Sequence, residues 1–128
     1  MAHMADNLHR MQTGRAGEAF VAQKLAADGW KICARNWRRR SGEIDIIAED
    51  GGTLVFVEVK TWPGGRLEDL EYVIHREKRR RMIGLAKTFV AEHPEYEGFF
   101  LRFDIVFLGP EKDGMERGIR HLRAAFTE

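Results

Sequence analysis

The stretch from Gly42 to Thr61, GEIDIIAEDGGTLVFVEVKT, constrains the fold more than any other part of the chain. Two apolar, β-branched runs flank Glu49-Asp50-Gly51-Gly52. Glycine, and aspartate more reluctantly, tolerates the positive φ that tight hairpin turns require, so the pattern predicts a β-hairpin. Three ionisable side chains interrupt its oily strands: Asp45 within Ile44-Asp45-Ile46-Ile47, and Glu58 and Lys60 within Val55-Phe56-Val57-Glu58-Val59-Lys60.

Side chains alternate across a strand, so Asp45 shares a face with Glu43 and Ile47, and Glu58 shares one with Phe56 and Lys60. The loop can be Asp50-Gly51, Gly51-Gly52 or the four residues Asp50 to Thr53. Each choice sets Asp45 opposite Phe56 or Glu58 and leaves Asp45, Glu58 and Lys60 on one face. Two carboxylates and an ammonium on adjacent strands can hold a hard divalent cation through oxygen ligands, with Lys60 placed to stabilise a nucleophilic hydroxide or a charged phosphate. The other face, Ile44, Ile46, Val55, Val57 and Val59, reads as core.

Asp45 followed by Glu58-Val59-Lys60 resembles the D…(D/E)XK signature of the PD-(D/E)XK nuclease superfamily, the restriction-endonuclease-like fold that includes archaeal Holliday junction resolvases. More closely, Gly14-Arg15-Ala16-Gly17-Glu18, Ala34-Arg35-Asn36-Trp37, Gly42 to Ala48 and Phe56 to Thr61, in that order, are similar to the YraN-like family of small bacterial proteins. The likeness runs from Gly14 to Phe126. It implies an α/β restriction-endonuclease-like fold, with a mixed β-sheet that contains a three-stranded meander and flanking helices. It also implies Mg²⁺ or Mn²⁺ as cofactor and hydrolysis of nucleic-acid phosphodiester bonds, with DNA, and branched DNA by analogy with resolvases, as substrate. In that reading Asp45, Glu58 and Lys60 are catalytic. Glu18, Asp45, Glu58 and the Val59 carbonyl hold the metal, and a homodimer cuts two strands symmetrically. The alternative from another class is a nucleic-acid-binding or scaffold protein that keeps the fold without turnover. A third is a purely structural ion network with no accessible cleft.

The 128 residues suit one ordinary domain with a real core. Residues 1–10 read as a disordered or tag-derived N-terminus and 11–128 as a single endonuclease-like domain. With 44% hydrophobic and 32% charged residues the chain reads as globular and soluble. No run approaches the roughly 18 apolar residues of a membrane span, and no secretory leader pattern is present. The single Cys33 excludes an internal disulfide framework and fits the cytoplasm.

A net charge of +1 predicts no partner, but its distribution does. Arg35, Arg38, Arg39 and Arg40 crowd before the hairpin, and Arg76, Lys78, Arg79, Arg80 and Arg81 crowd after it. Arg38, Arg39, Arg40, Arg76, Lys78, Arg80 and Arg81 are the candidate phosphate contacts, because Lys and Arg gain affinity by displacing counterions from a nucleic-acid backbone. The plainer reading is a solvated helix face and a basic turn.

Along the chain, helical spacing predicts a helix over Met11 to Asp28, stopped by Gly29 and with Thr13 as a candidate cap. Gly14 and Gly17 cost it about 1 kcal/mol each relative to alanine, which suggests close packing there. Trp30 to Trp37 reads as the first strand, with Trp30, Ile32 and Ala34 on one side and Trp37 packed. Glu43 lies on the Asp45 face near the strand end, which suits a contact through water or a supporting role. Trp62-Pro63-Gly64-Gly65 reads as a loop, followed by the acidic Glu68-Asp69-Leu70-Glu71. A helix from His75 to His93, ended by Pro94, turns Met82, Leu85, Ala86, Phe89 and Val90 inward and its basic residues outward.

Phe99 to Leu108 predicts a central strand covered on both faces, with Asp104 in a structural ion pair with Arg102 or a capping hydrogen bond. Lys112-Asp113-Gly114 reads as a turn. Ile119 to Phe126 is open between strand and short helix. Its Ile119, Leu122 and Phe126 spacing suits a helix, and the family resemblance favours a strand. His121 reads as a surface or satisfied core residue, not a base. One cysteine excludes a zinc ribbon, and the chain carries no P-loop, HExxH or nucleophile-elbow motif.

Overall fold

The computed structural model describes residues 14–62, 75–110, 114 and 117–127. The expectations for residues 1–10, Thr13, Pro63 to Gly65, Glu68 to Glu71 and Lys112-Asp113 lie outside them. In chain order the elements are α1 (Arg15–Ala27), β1 (Lys31–Arg39), β2 (Gly42–Asp50), β3 (Thr53–Thr61), α2 (Arg76–Glu92), a 3₁₀ turn over Pro94–Tyr96, β4 (Phe100–Leu108) and β5 (Ile119–Phe126). The strands form one mixed sheet in the order β1-β2-β3-β4-β5. The first three make the expected antiparallel meander; β4 runs parallel to β3, and β5 antiparallel to β4. The β3–β4 connection is the one that contains α2, as a parallel pair requires a crossover.

The two helices cover opposite faces. Val21, Ala22 and Leu25 of α1 pack with Trp30, Ile46, Ala48, Val55, Val57, Val59, Val106 and Leu108. Met82, Leu85, Ala86 and Phe89 of α2 pack with Trp37, Ile47, Leu54, Phe56, Phe103, Ile105 and Phe107. Glycine ends α1 as expected: Gly29 has φ 94°, its N–H bonds to the Ala26 carbonyl at 3.0 Å, and the Trp30 N–H bonds to the Leu25 carbonyl at 3.0 Å. The hairpin loop is Gly51-Gly52, with Asp50 paired to Thr53 and Gly51 at φ 63°.

Strict alternation fails at three places. The β1–β2 register shifts between Ile32 and Ala34, so Ile32 packs on the α1 side while Cys33 and Ala34 pack on the α2 side. Ala34 is thus not on the Trp30 and Ile32 side. Ile44 also belongs to the α2 side, not with Ile46, Val55, Val57 and Val59. The recorded β2–β3 pairing stops at Ile46–Val57, and Asp45 sits where the ladder opens. On β5, the partner of Phe103 is Phe126 but the partner of Ile105 is Leu122, so two extra residues bulge around Ala124, whose φ is 51°. This segment is a strand. The bulge lets Leu122, Ala125 and Phe126 all face α2, which is why their spacing resembles a helix.

Two further expectations change. Phe103 to Leu108 is buried, but Phe100 and Leu101 are exposed, because they extend beyond the last β4–β5 pair, Phe103–Phe126. At Gly14 no atom of the described residues lies within 4 Å of where a Cβ would sit, so none of them packs closely there, whereas Gly17 is buried.

Candidate functional site

The ladder opening at Asp45 creates the site. Beyond Ile46–Val57, the Asp45 Oδ2 accepts the Val59 N–H at 2.8 Å, so a side chain replaces the next backbone acceptor and β2 and β3 part. Glu58 and Lys60, in alternation with the buried Leu54 and Phe56, point to the α2 side at this gap. The N-terminal turns of α1 and α2 close it. A cavity of about 370 Å³ results, lined by Glu18, Ser41, Gly42, Glu43, Asp45, Glu58, Val59, Lys60, Lys78, Arg81, Met82 and Leu85.

Glu18 comes from the inward face of α1, one turn before Val21 and Ala22, and is 7% exposed. Its Oε2 has no hydrogen-bond partner. Burial, then the Glu43 charge, raises its pKa, against opposing contributions from Arg15, a hydrogen bond with Asn36, and Arg35. Asp45 is raised further, to about 8, by burial and then by the Glu58 charge; the Val59 N–H opposes this, and Glu18 and a hydrogen bond with Glu58 add to it. Asp45 therefore gives up its proton less readily than an ordinary aspartate. Glu58 is buried, and its Oε1 meets two ammonium groups, Lys60 Nζ at 3.2 Å and Lys78 Nζ at 2.5 Å. For Lys78, burial favours the neutral amine but the carboxylate outweighs it, so its pKa is raised.

Oxygen donors of this kind suit a hard divalent cation, and an orphaned, buried carboxylate oxygen facing other carboxylates fits one. No three His, Cys, Asp or Glu side chains among the described residues form a ready-made metal cluster. At Glu58 two ammonium groups meet one carboxylate oxygen.

The sequence-derived metal and catalytic set, Glu18, Asp45, Glu58, Val59 and Lys60, is thus brought to one cavity. The basic set divides. Lys78 and Arg81 line the cavity; Arg38, Arg39, Arg40, Arg76 and Arg80 are exposed and do not. Arg38 pairs with Glu43 at 3.2 Å, and Arg39 pairs with Glu92 of α2 while its guanidinium lies 4.4 Å from the Trp37 ring centre. Trp37 itself packs edge-on against Phe89, as its expected packing role requires. Glu43 lines the cavity beside Arg38.

Two contributors were not legible as such. Lys78 reads as one of many outward basic residues, yet it lies four and seven residues before Met82 and Leu85 and so continues their inward stripe. Asn36 sits between the pairs Arg35–Ile46 and Trp37–Ile44, across from Asp45, at φ 51°. Asparagine tolerates that conformation better than most residues, and it directs its side chain to Glu18. Its spacing carries no signal; a β1–β2 register is needed to find it.

A family model described as uncharacterised protein family UPF0102 matches residues 17–108, a span that contains every residue lining the cavity. The chain is 42% identical over 123 residues to a UPF0102 protein of Treponema pallidum (strain Nichols), covering 94% of this chain and 96% of the relative. It is 46% identical over 110 residues to UPF0102 protein STH1475 of Symbiobacterium thermophilum, covering 83% and 89%. It is 38% identical over 117 residues to a UPF0102 protein of Synechococcus sp. (strain JA-3-3Ab), covering 88% and 89%.

Proposed function

The chain belongs to the uncharacterised protein family UPF0102, and for it we propose metal-dependent hydrolysis of nucleic-acid phosphodiester bonds on a restriction-endonuclease-like fold. The observation that carries this reading is the convergence of Asp45, Glu58 and Lys60 with the unpartnered Glu18 Oε2 in one open cavity. The meander, the parallel β4 and the helices on both faces agree with such a fold.

Glu18, Asp45, Glu58 and the Val59 carbonyl would hold Mg²⁺ or Mn²⁺. When bound, the ion supplies Lewis acidity toward a phosphoryl oxygen and lowers the pKa of a water. The chain does the rest. Lys60 is held by Glu58 on a rigid strand, where its ammonium can stabilise an attacking hydroxide and the charge that develops at phosphorus. Arg81 at the cavity, with exposed Arg40, Arg76 and Arg80 outside it, supplies backbone affinity that weakens with salt. DNA, branched first, is the substrate in this reading, a homodimer the form that cuts two strands, and the cytoplasm the location. Among the described residues no helix is long and apolar enough to cross a membrane.

The test is incubation with linear, single-stranded and four-way-junction DNA, and with RNA, under Mg²⁺ or Mn²⁺. Wild type is expected to give products that chelator abolishes and that Asp45→Ala and Lys60→Ala each reduce by about 10³-fold, the scale of losing a group that acts in the transition state. Tight binding without metal-dependent products would instead establish a nucleic-acid-binding or scaffold protein.

A further inference from the structure

Glu58 Oε1 is shared by two ammonium groups, Lys60 Nζ at 3.2 Å and Lys78 Nζ at 2.5 Å. That shared oxygen lies beside the further carboxyl groups of Glu18, Glu43 and Asp45, which line the same cavity. The two lysines are not equivalent. Lys60 rises from the interior of the sheet and its side chain is 13% exposed, whereas Lys78 reaches in from the first turn of α2 and its side chain is 33% exposed. Lys78 is also the shorter contact, and its long stem can turn outward along α2 toward solvent without moving the sheet.

We propose that Lys78 is a built-in counter-ion for the cation site: its ammonium neutralises Glu58 when no metal is bound and is displaced when a divalent cation takes that oxygen. This rests on the hydrolytic reading of the cavity, in that it supposes a cation site there. The displacement has two consequences. Metal must compete with a tethered cation, so affinity in the absence of nucleic acid is weaker than the carboxylates alone would give. Loading also frees the Lys78 ammonium from Glu58 in a cavity that Arg81 lines as well, so metal occupancy itself prepares the surface for a phosphate.

The experiment is Mn²⁺ binding to the full chain without nucleic acid, followed by electron paramagnetic resonance and calorimetry, for wild type, Lys78→Met, Lys78→Gln and the control Lys31→Met, an exposed cation on β1 outside the cavity. Lys78→Met is expected to bind Mn²⁺ roughly tenfold more tightly, the effect of removing one nearby opposing charge, with Lys31→Met within about twofold. Lys78→Gln keeps a hydrogen-bond donor for Glu58 and serves if the methionine variant does not fold. In wild type, labelling of Lys78 by an amine-reactive reagent, read by mass spectrometry, is expected to rise on adding Mn²⁺. Equal affinity in wild type and the Lys78 variants, or Lys78 labelling that Mn²⁺ leaves unchanged, overturns the counter-ion role while leaving the metal site standing. Failure of every variant to bind Mn²⁺ overturns the metal site and this role together.

Discussion

Two aspartates sit in the same sheet at the same kind of defect, and the protein treats them in opposite ways. Asp45 accepts the Val59 N–H at 2.8 Å where β2 and β3 part, and Asp104 accepts the Ala124 N–H at 3.0 Å where β5 bulges from β4. Each carboxylate substitutes for a ladder acceptor. Asp104 is fully buried and saturated: Arg102 binds both oxygens at 2.9 and 3.1 Å, and His121 Nε2 lies 2.7 Å from Oδ2. Burial alone would raise its pKa, but the bonds from His121, Arg102 and Ala124 outweigh burial and lower it. Asp45 instead faces Glu58 and Glu18, opens to a cavity, and is raised. A satisfied carboxylate holds the sheet together, whereas one kept among its own kind is made a weaker acid, the kind of perturbation that marks a candidate site.

The largest break in the comparison should come from Asp104→Ala. It leaves half-buried His121 without its carboxylate and half-buried Arg102 with only Asp50 at 3.5 Å, and urea unfolding should show a loss of about 3 kcal/mol. Because the folded-state pKa of Asp104 is lowered, its stabilisation is present above the ordinary carboxylate range and disappears as pH falls through the folded value. The gap between wild type and variant should therefore close in acid; a gap independent of pH would remove the charge from the explanation.

Asp45→Asn should act with the opposite sign on stability. An amide can still accept the Val59 N–H and donate to Glu58, and it cannot ionise. The raised pKa means that wild-type stability from this group is complete below the unfolded value near 3.8 and is lost as pH rises through about 8. In chelator the variant should lie close to wild type near pH 4 and become the more stable of the two as pH rises toward 8, by an amount on the order of 5 kcal/mol. A variant less stable than wild type at pH 8 would contradict the raised pKa.

Smaller effects sharpen the picture. Asn36→Gly keeps the backbone at φ 51° accessible but removes the group that meets Glu18, and should cost about 1 kcal/mol while loosening the cavity's hold on Mn²⁺. At the other defect, Ala124→Gly relieves a left-handed alanine and should raise stability by about 0.5 kcal/mol, seen as a small increase in Tm with no change in Mn²⁺ binding. Coupling of Ala124→Gly to metal affinity would show that the two defects communicate.

Much of this was legible in the chain because it follows from near neighbours. Gly51-Gly52 announces the hairpin, and its even loop sets Glu58 and Lys60 with Asp45. Gly29 and Pro94 mark the ends of α1 and α2. The misplaced residues cluster where alternation meets a defect, Ala34 at the β1 bulge and Ile44 beside Asp45, and the bulge around Ala124 is what left Ile119 to Phe126 open between strand and helix. A period-2 reading has no term for an inserted residue or for a side chain that takes a ladder bond, so residues at such a defect are assigned to the wrong face.

The sequence by itself determined both helices, the central hairpin, the strands before and after it and the placing of Asp45, Glu58 and Lys60 on one face, since turn chemistry, helical spacing and strand parity act over a few residues. Only the tertiary structure decided that Glu18 is buried with an unpartnered oxygen, that Asn36 supports it, and that Lys78 rather than another helix cation meets Glu58. Those choices depend on how α1 and α2 cross the two faces of the sheet, which is set by the packing of Val21, Leu25, Met82 and Leu85 and not by any local pattern around the charges.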